Sequence, residues 1–213
     1  MINSRHLILE KIRSAGIKNK NRLISEPNFS NTNENNLDEL LKIFINKAEN
    51  VNSEVYELDS EINLDKKINE IFEESEIERF IAWNTDFLNL LKIDAKYQRI
   101  DENLQKSEIS EAHIGLTEAD FAIADTGTLV LLSNQYKPRL TSLLPQIHMA
   151  ILKKENLLSD IHQLFNKLKQ DYVNSDNLCS CISFITGPSR TADIELNLTL
   201  GVHGPKKLII LII

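Results

Sequence analysis

The strongest periodic signal lies at positions 37–48, where Leu37, Leu40, Leu41, Phe44, Ile45 and Ala48 follow the i, i+3, i+4, i+7 spacing of an amphipathic helix. The same spacing recurs at Leu64, Ile68, Ile71 and Phe72, and again at Leu157, Ile161, Leu164, Phe165 and Leu168. Residues 4–15 carry a shorter version, with Ile8, Ile12 and Ala15 on one stripe and Gly16 as its stop. Between these helices, SEVYEL at 53–58 and ERFIAW at 78–83 read as strands, and Thr85 is placed to cap a short helix holding Phe87, Leu88 and Leu91. Strands alternating with helices of this length predict βαβ units: an α/β fold with a mainly parallel sheet flanked by helices.

The second half is richer in strands. FAIAD at 121–125 and TLVLLS at 128–133 flank Thr126-Gly127, the mark of a tight turn or a sharp bend. Ile147, Met149 and Ile151 alternate as in a strand. CISFIT at 181–186 and KLIILII at 207–213 are nearly continuous apolar runs, as parallel strands covered on both faces require. Between them, Ile194, Leu196, Leu198 and Leu200 alternate with polar residues, which favours a strand. A parallel crossover from 186 to 207 is normally helical, however, so a short helix after Arg190 is the expectation. Residues 17–36 are rich in Asn, Ser and Lys, which sets residues 1–36 apart as an N-terminal helix and flexible linker and leaves 37–213 as a single α/β domain.

Composition narrows the classes. With 213 residues, 42% hydrophobic and 26% charged, the chain supports one well-buried domain with a small extension. A net charge of −7, with acids scattered rather than blocked, argues against nucleic acid but leaves room for a small anionic ligand held by local donors. Cys179 and Cys181 have no second pair to complete a metal cage, and an iron–sulfur cluster usually needs four thiolates, so buried, reduced thiols are expected. No apolar run reaches the ~18–20 residues that span a bilayer, and Glu10, Lys11 and Arg13 break the first apolar stretch, so no membrane segment or signal peptide is read and a cytoplasmic location is expected. Walker A, G-x-G-x-x-G and G-x-S-x-G signatures are missing.

The candidate chemistry gathers in IADTGTLVLL (123–132), GPSRTADIE (187–195) and GVHGP (201–205), each near the end of an apolar strand, where open α/β sheets bind ligands. Gly187 permits close backbone approach, and Ser189, Arg190 and Thr191 supply hydroxyls, a guanidinium and backbone N–H groups. At a helix N-terminus these would form an anion site, or they would simply pin the loop. Asp193 and Glu195 either balance the helix dipole or orient a hydroxyl, bind a cation, or act as base or nucleophile. Thr126, Gly127 and Thr128 either present donors to a phosphate or carboxylate or satisfy a hairpin's own backbone. His203, beside Gly204, sits in an accessible glycine-rich loop suited to acid–base work, and His148 faces opposite to Ile147 and Met149, towards a cleft. No histidine spacing offers a preformed metal site, so none is expected.

The blocks AHIGLTEADFAIADTGTLVLL, RLTSLLPQIHMAIL and SFITGPSRTADIELNLTLGVHGPKKLIIL resemble the lactate-utilisation C protein (LutC-like) family, the LUD domain, over most of positions 112–213. The first hundred residues fit loosely, and Asp125 stands where the family favours glutamate. The resemblance implies a NagB/RpiA/CoA-transferase-like fold and a part in oxidising L-lactate to pyruvate. It implies a subunit or accessory of a cytoplasmic complex whose partners carry iron–sulfur clusters, with no cofactor bound by this chain alone. Thr126, Gly127, Thr128, Gly187, Ser189, Arg190, Thr191, Asp193, His203 and Gly204 carry over as a ligand pocket for a small anion, such as the hydroxy acid or a phosphate-bearing cofactor. Two other readings stay open. One is a free-standing enzyme of acyl or phosphate-ester chemistry, with Asp193 or Glu195 as nucleophile or base and His203 as proton carrier. The other is a sensor or scaffold with a vestigial pocket.

Overall fold

The central sheet has six strands, all parallel, in the order β1-β12-β7-β4-β2-β3. These are β1 (Glu54–Glu57), β2 (Arg79–Ala82), β3 (Gln98–Arg99), β4 (Ile114–Glu118), β7 (Ile147–Leu152) and β12 (Lys207–Ile212). They belong to a computed structural model that describes residues 5, 7–11, 13, 37–59, 62–100, 109–172, 178–192 and 198–213. The chain divides into two units, Met1–Asn33 and Glu34–Ile213. In the first, residues 5, 7–11 and 13 are helical, while the expected linker lies outside the described residues.

The stripes at 37–48 and 64–72 become helices as their spacing requires, whereas of the third stripe Leu157 lies in a two-residue strand and Ile161 and Phe165 stay exposed, leaving only Leu164 and Leu168 buried on the helix. α1 (Leu37–Asn50) buries Leu40, Leu41, Phe44 and Ala48, and α2 (Ile62–Glu74) buries Leu64, Ile68, Ile71 and Phe72 in the same core. Thr85 caps α3 (Asp86–Leu90) by accepting a hydrogen bond from the Leu88 amide at 3.3 Å. α4 (Leu140–Leu143) is a single turn that the apolar pattern does not announce. It lies against β4 where Gly115 has no side chain: a Cβ there would come 1.8 Å from the Thr141 carbonyl oxygen. α5 (Ile161–Tyr172) begins at Asp160, whose Oδ1 accepts from the His162 and Gln163 amides.

A second sheet runs β8-β5-β6-β9, formed by β5 (Phe121–Ile123), β6 (Thr128–Ser133), β8 (Leu157–Leu158) and β9 (Cys181–Ile185). Its alternation is two-sided: Phe121, Ile123 and Val130 pack with Leu164 and Leu168 of α5, whereas Ala122, Leu129 and Leu131 join the main core. Three expectations change here. β9 is antiparallel to β6 at a sheet edge and only part-buried, not a parallel strand covered on both faces. Because β9 and β12 lie in different sheets, no crossover links them, and the segment expected to form a helix after Arg190 instead pairs β10 (Arg190–Ala192) with β11 (Leu198–Leu200) as an antiparallel ladder. Cys179 and Cys181 are free but half-buried, since Cys179 precedes the strand and Cys181 opens an edge.

Candidate functional site

The two glycine signatures meet because β6 and β9 are neighbours. Leu129 pairs with Ile185, so the turn before β6 and the loop after β9 emerge side by side. The hydroxyls of Thr128 and Thr186 lie 2.7 Å apart across this junction, and Thr128 also donates to Thr126 at 2.8 Å. Gly127 (φ 64°) and Gly187 (φ 83°) both adopt left-handed backbone and both abut the end of α1. A Cβ on Gly127 would reach within 2.5 Å of the Ala48 nitrogen, and one on Gly187 within 2.7 Å of the Val51 carbonyl oxygen. Arg190, itself exposed, donates from Nη2 to that same Val51 oxygen, a cation placed just past a helix C-terminus.

Beside this junction lies a cavity of about 210 Å³, lined by Ser142, Leu143, His148 and the 184–189 and 203–205 loops. Of the residues expected to form a pocket, Gly187, Ser189, His203 and Gly204 line it, whereas Thr126, Gly127, Thr128, Arg190 and Thr191 do not. Asp193 and Glu195 fall outside the described residues. The anion site expected at a helix N-terminus is replaced by other geometry. Among the described residues Ser189 is followed by the strand Arg190–Ala192; its amide donates to the Pro205 carbonyl at 2.8 Å, and its carbonyl accepts from the Gly201 amide at 2.9 Å. These bonds staple the 187–189 loop to the 201–205 loop, and a Cβ on Gly204 would lie 3.2 Å from the Ser189 Cβ.

The position in the sheet also differs from expectation. The cavity touches the first turns of β7 and β12, through His148 and Leu208, rather than their carboxyl ends. His148 shares a register row with Gly115 and Leu208, so all three face the side on which α4 rests.

His148 is the most unusual group lining the cavity. It is 1% exposed, and burial pushes its pKa down to about 3, so the imidazole is neutral. Its Nε2 lies 2.9 Å from Thr117 Oγ1, while Nδ1 has no hydrogen-bond partner among the described residues. A neutral ring presents either a donor or an acceptor at Nδ1, depending on which way the Thr117 hydroxyl points. With the hydroxyls of Ser142, Thr186 and Ser189 and the exposed His203, five side chains able to hydrogen-bond line the cavity. Among the described residues, no three His, Cys, Asp or Glu side chains converge to hold a metal ion. Nor, among them, is any helix long and apolar enough to cross a membrane.

A model of the LUD domain family matches residues 41–213, well beyond the segment where the sequence blocks are densest. The chain is 34% identical over 203 residues to "Lactate utilization protein C" of Halalkalibacterium halodurans, covering 91% of this chain and 86% of that protein. It is 33% identical over 178 residues to the protein of the same name from Macrococcus caseolyticus, covering 80% and 76%. Among solved structures, a DUF162 family protein from Deinococcus radiodurans superposes with a TM-score of 0.59 at 17% identity, covering 83% of this chain and 98% of that one.

Proposed function

The chain belongs to the LUD domain family as a LutC-like lactate utilisation protein, and from that premise we propose that it is an accessory subunit of a cytoplasmic iron–sulfur complex that oxidises L-lactate to pyruvate. The observation that carries the reading is the match along nearly the whole chain to relatives named for lactate utilisation. Two cysteines in the entire sequence suit a subunit that leaves cluster ligation to its partners. In this reading the two electrons released per lactate pass to clusters held elsewhere in the complex.

The cavity between the 184–189 and 203–205 loops is the proposed seat of a small anionic ligand. Ser189, His203 and His148 supply its hydrogen bonds, and Gly187 and Gly204 let the backbone approach closely. Arg190 contributes indirectly, holding the loop to the end of α1 through Val51.

The test is genetic and uses the full chain. Deleting the gene should abolish growth on L-lactate while sparing growth on pyruvate, and the wild-type gene should restore it. Ser189→Ala combined with His203→Ala should restore it poorly although the protein accumulates normally. Undiminished growth of the deletion strain on L-lactate would overturn the proposal.

A further inference from the structure

Both larger sheets are open, so each ends in two edge strands whose outer hydrogen-bonding groups need cover or protection from chance pairing. In the central sheet, β1 carries Glu54 and Glu57 within four residues, engaged by Lys207 at 2.8 Å and Lys154 at 2.7 Å, and β3 is two residues long. In the second sheet β8 is also two residues long, and the β10–β11 ladder has three residues a side. Charge and short length are the ordinary means of blunting an edge. β9 has neither. It runs for five residues, Cys181–Ile185, without a charge or a proline, and among the described residues only β6 pairs with it.

The side chains at this edge are uncovered as well. Phe184 lies opposite Val130 and Ile182 opposite Leu132, which puts both on the face that α5 covers. α5 packs over Phe121, Ile123 and Val130, and Ile182 reaches that cluster from the side. Phe184 does not, and stays 44% exposed; Leu178, just before the strand, is 71% exposed. An exposed aromatic on an uncharged, unpaired strand edge suits a further strand. Its backbone would take the outer N–H and C=O groups, and its side chains would extend the same apolar face.

We propose that β9 pairs with β9 of a second copy of this chain, antiparallel about a twofold axis at Ser183, joining two four-stranded sheets into one of eight strands. The strand is its own complement. With Ser183 opposite itself, Phe184 faces Ile182 of the second copy and Ile182 faces its Phe184, so the cluster under α5 continues across the joint. Cys181 and Ile185 face each other on the reverse side, and the paired strands bury no charge. The other edges of the two larger sheets are too short or too acidic to donate a strand here, so a second copy must use β9 itself. One patch then serves both copies, and the association closes at two. It is independent of the accessory role, since it concerns the chain's pairing with itself.

Sedimentation equilibrium of the full chain tests the proposal, together with cross-linking. The wild-type protein should sediment at twice the chain mass. Phe184→Lys, which places a charge in the joint, should weaken the dimer about tenfold or more. Leu90→Lys, at a residue 80% exposed on α3, should leave it unchanged. In a background carrying Cys179→Ser and Cys181→Ser, Ser183→Cys should oxidise to a disulfide-linked dimer. Residues facing each other across an antiparallel pair have Cα atoms about 4.5–5.5 Å apart, within disulfide reach. Ser180→Cys in the same background should not cross-link, because it lies about 20 Å along the joint from its own copy. The proposal is overturned if the wild-type chain is monomeric at about 100 μM, where even a weak specific dimer is populated. It is overturned equally if Phe184→Lys dimerises as tightly as wild type, or if Ser180→Cys cross-links as readily as Ser183→Cys. Neither readout involves growth on lactate, so failure here leaves the accessory role standing.

Discussion

Thr128 and Thr186, 58 positions apart in sequence, hold their hydroxyls 2.7 Å apart where β6 and β9 meet. That contact joins the two glycine turns to each other, while Ala48 and Val51 at the end of α1 close behind them. The cavity loop is thereby fixed to the core at its entry, and the Ser189–Pro205 bond fixes it at its exit.

Thr186→Val keeps the shape of the side chain and removes this hydrogen bond. A loss of about 1 kcal/mol in unfolding free energy is expected, read as a lower urea midpoint with unchanged slope. Faster amide exchange should be confined to the 186–189 loop. An unchanged midpoint would show that the hydroxyl pair contributes nothing to the joint.

Glycine positions should differ sharply in tolerance. Gly115→Ala drives a Cβ to 1.8 Å from the Thr141 carbonyl, which forces α4 off the sheet and should cost about 2 kcal/mol or more. At Gly204 the tightest contacts of a Cβ are with the Ser189 side chain, at 3.2 and 3.4 Å, so Gly204→Ala should cost much less. Thermal unfolding of the two variants should rank them in that order.

The neutral state of His148 sets a pH dependence. Burial lowers its folded pKa to about 3, so as pH falls below the ordinary value of 6.5 the unfolded chain takes up a proton that the folded chain refuses. Its contribution is complete above about pH 6.5 and is lost down to about pH 3, at about 1.4 kcal/mol per pH unit. Denaturant titrations of wild type and His148→Gln between pH 7 and pH 4 should show the variant with the flatter slope. Equal slopes would place the wild-type imidazole in water.

Asp160, which does not line the cavity beside the 187–189 loop, offers a test of the helix start. Its Oδ1 accepts from the His162 and Gln163 amides at 2.8 and 3.0 Å, so Asp160→Ala should destabilise the protein by about 1 kcal/mol through fraying of α5. Asp160→Asn should recover most of that. No loss in the alanine variant would mean that the first turn is held by the Ser159 amide bond to Gln163 Oε1 and by packing of Leu164 instead.

Much of the fold is legible in the sequence because burial writes period into it: the stripes of α1 and α2 and the runs at β7 and β12 are one-sided or wholly buried, whereas the stripe read at 157–168 overruns α5 at Leu157 and includes the exposed Ile161 and Phe165. β4 is not legible in the same way. Gly115 and Thr117 interrupt its apolar run, and both are there for tertiary reasons, one to admit α4 and the other to bond His148. With that strand unread, Glu118 and Asp120 do not stand out as carboxylates at a strand's carboxyl end. The helix expected after Arg190 follows from a crossover rule that needs β9 and β12 in one sheet; their separation into two sheets depends on long-range pairing that local sequence does not encode. Ser189, His203 and Gly204 were legible from loop composition, whereas the exclusion of Thr126 and Arg190 from the cavity lining depends on contacts with one another's loops and with α1.

Membership of a lactate-oxidising complex has a direct biochemical signature. Tagged protein purified anaerobically from its own cells grown on L-lactate tests it, with mass spectrometry and visible absorption of the eluate. Cysteine-rich subunits in fixed stoichiometry with broad iron–sulfur absorbance are expected, with lactate-dependent bleaching of that absorbance. A colourless protein that elutes alone under these conditions would contradict it.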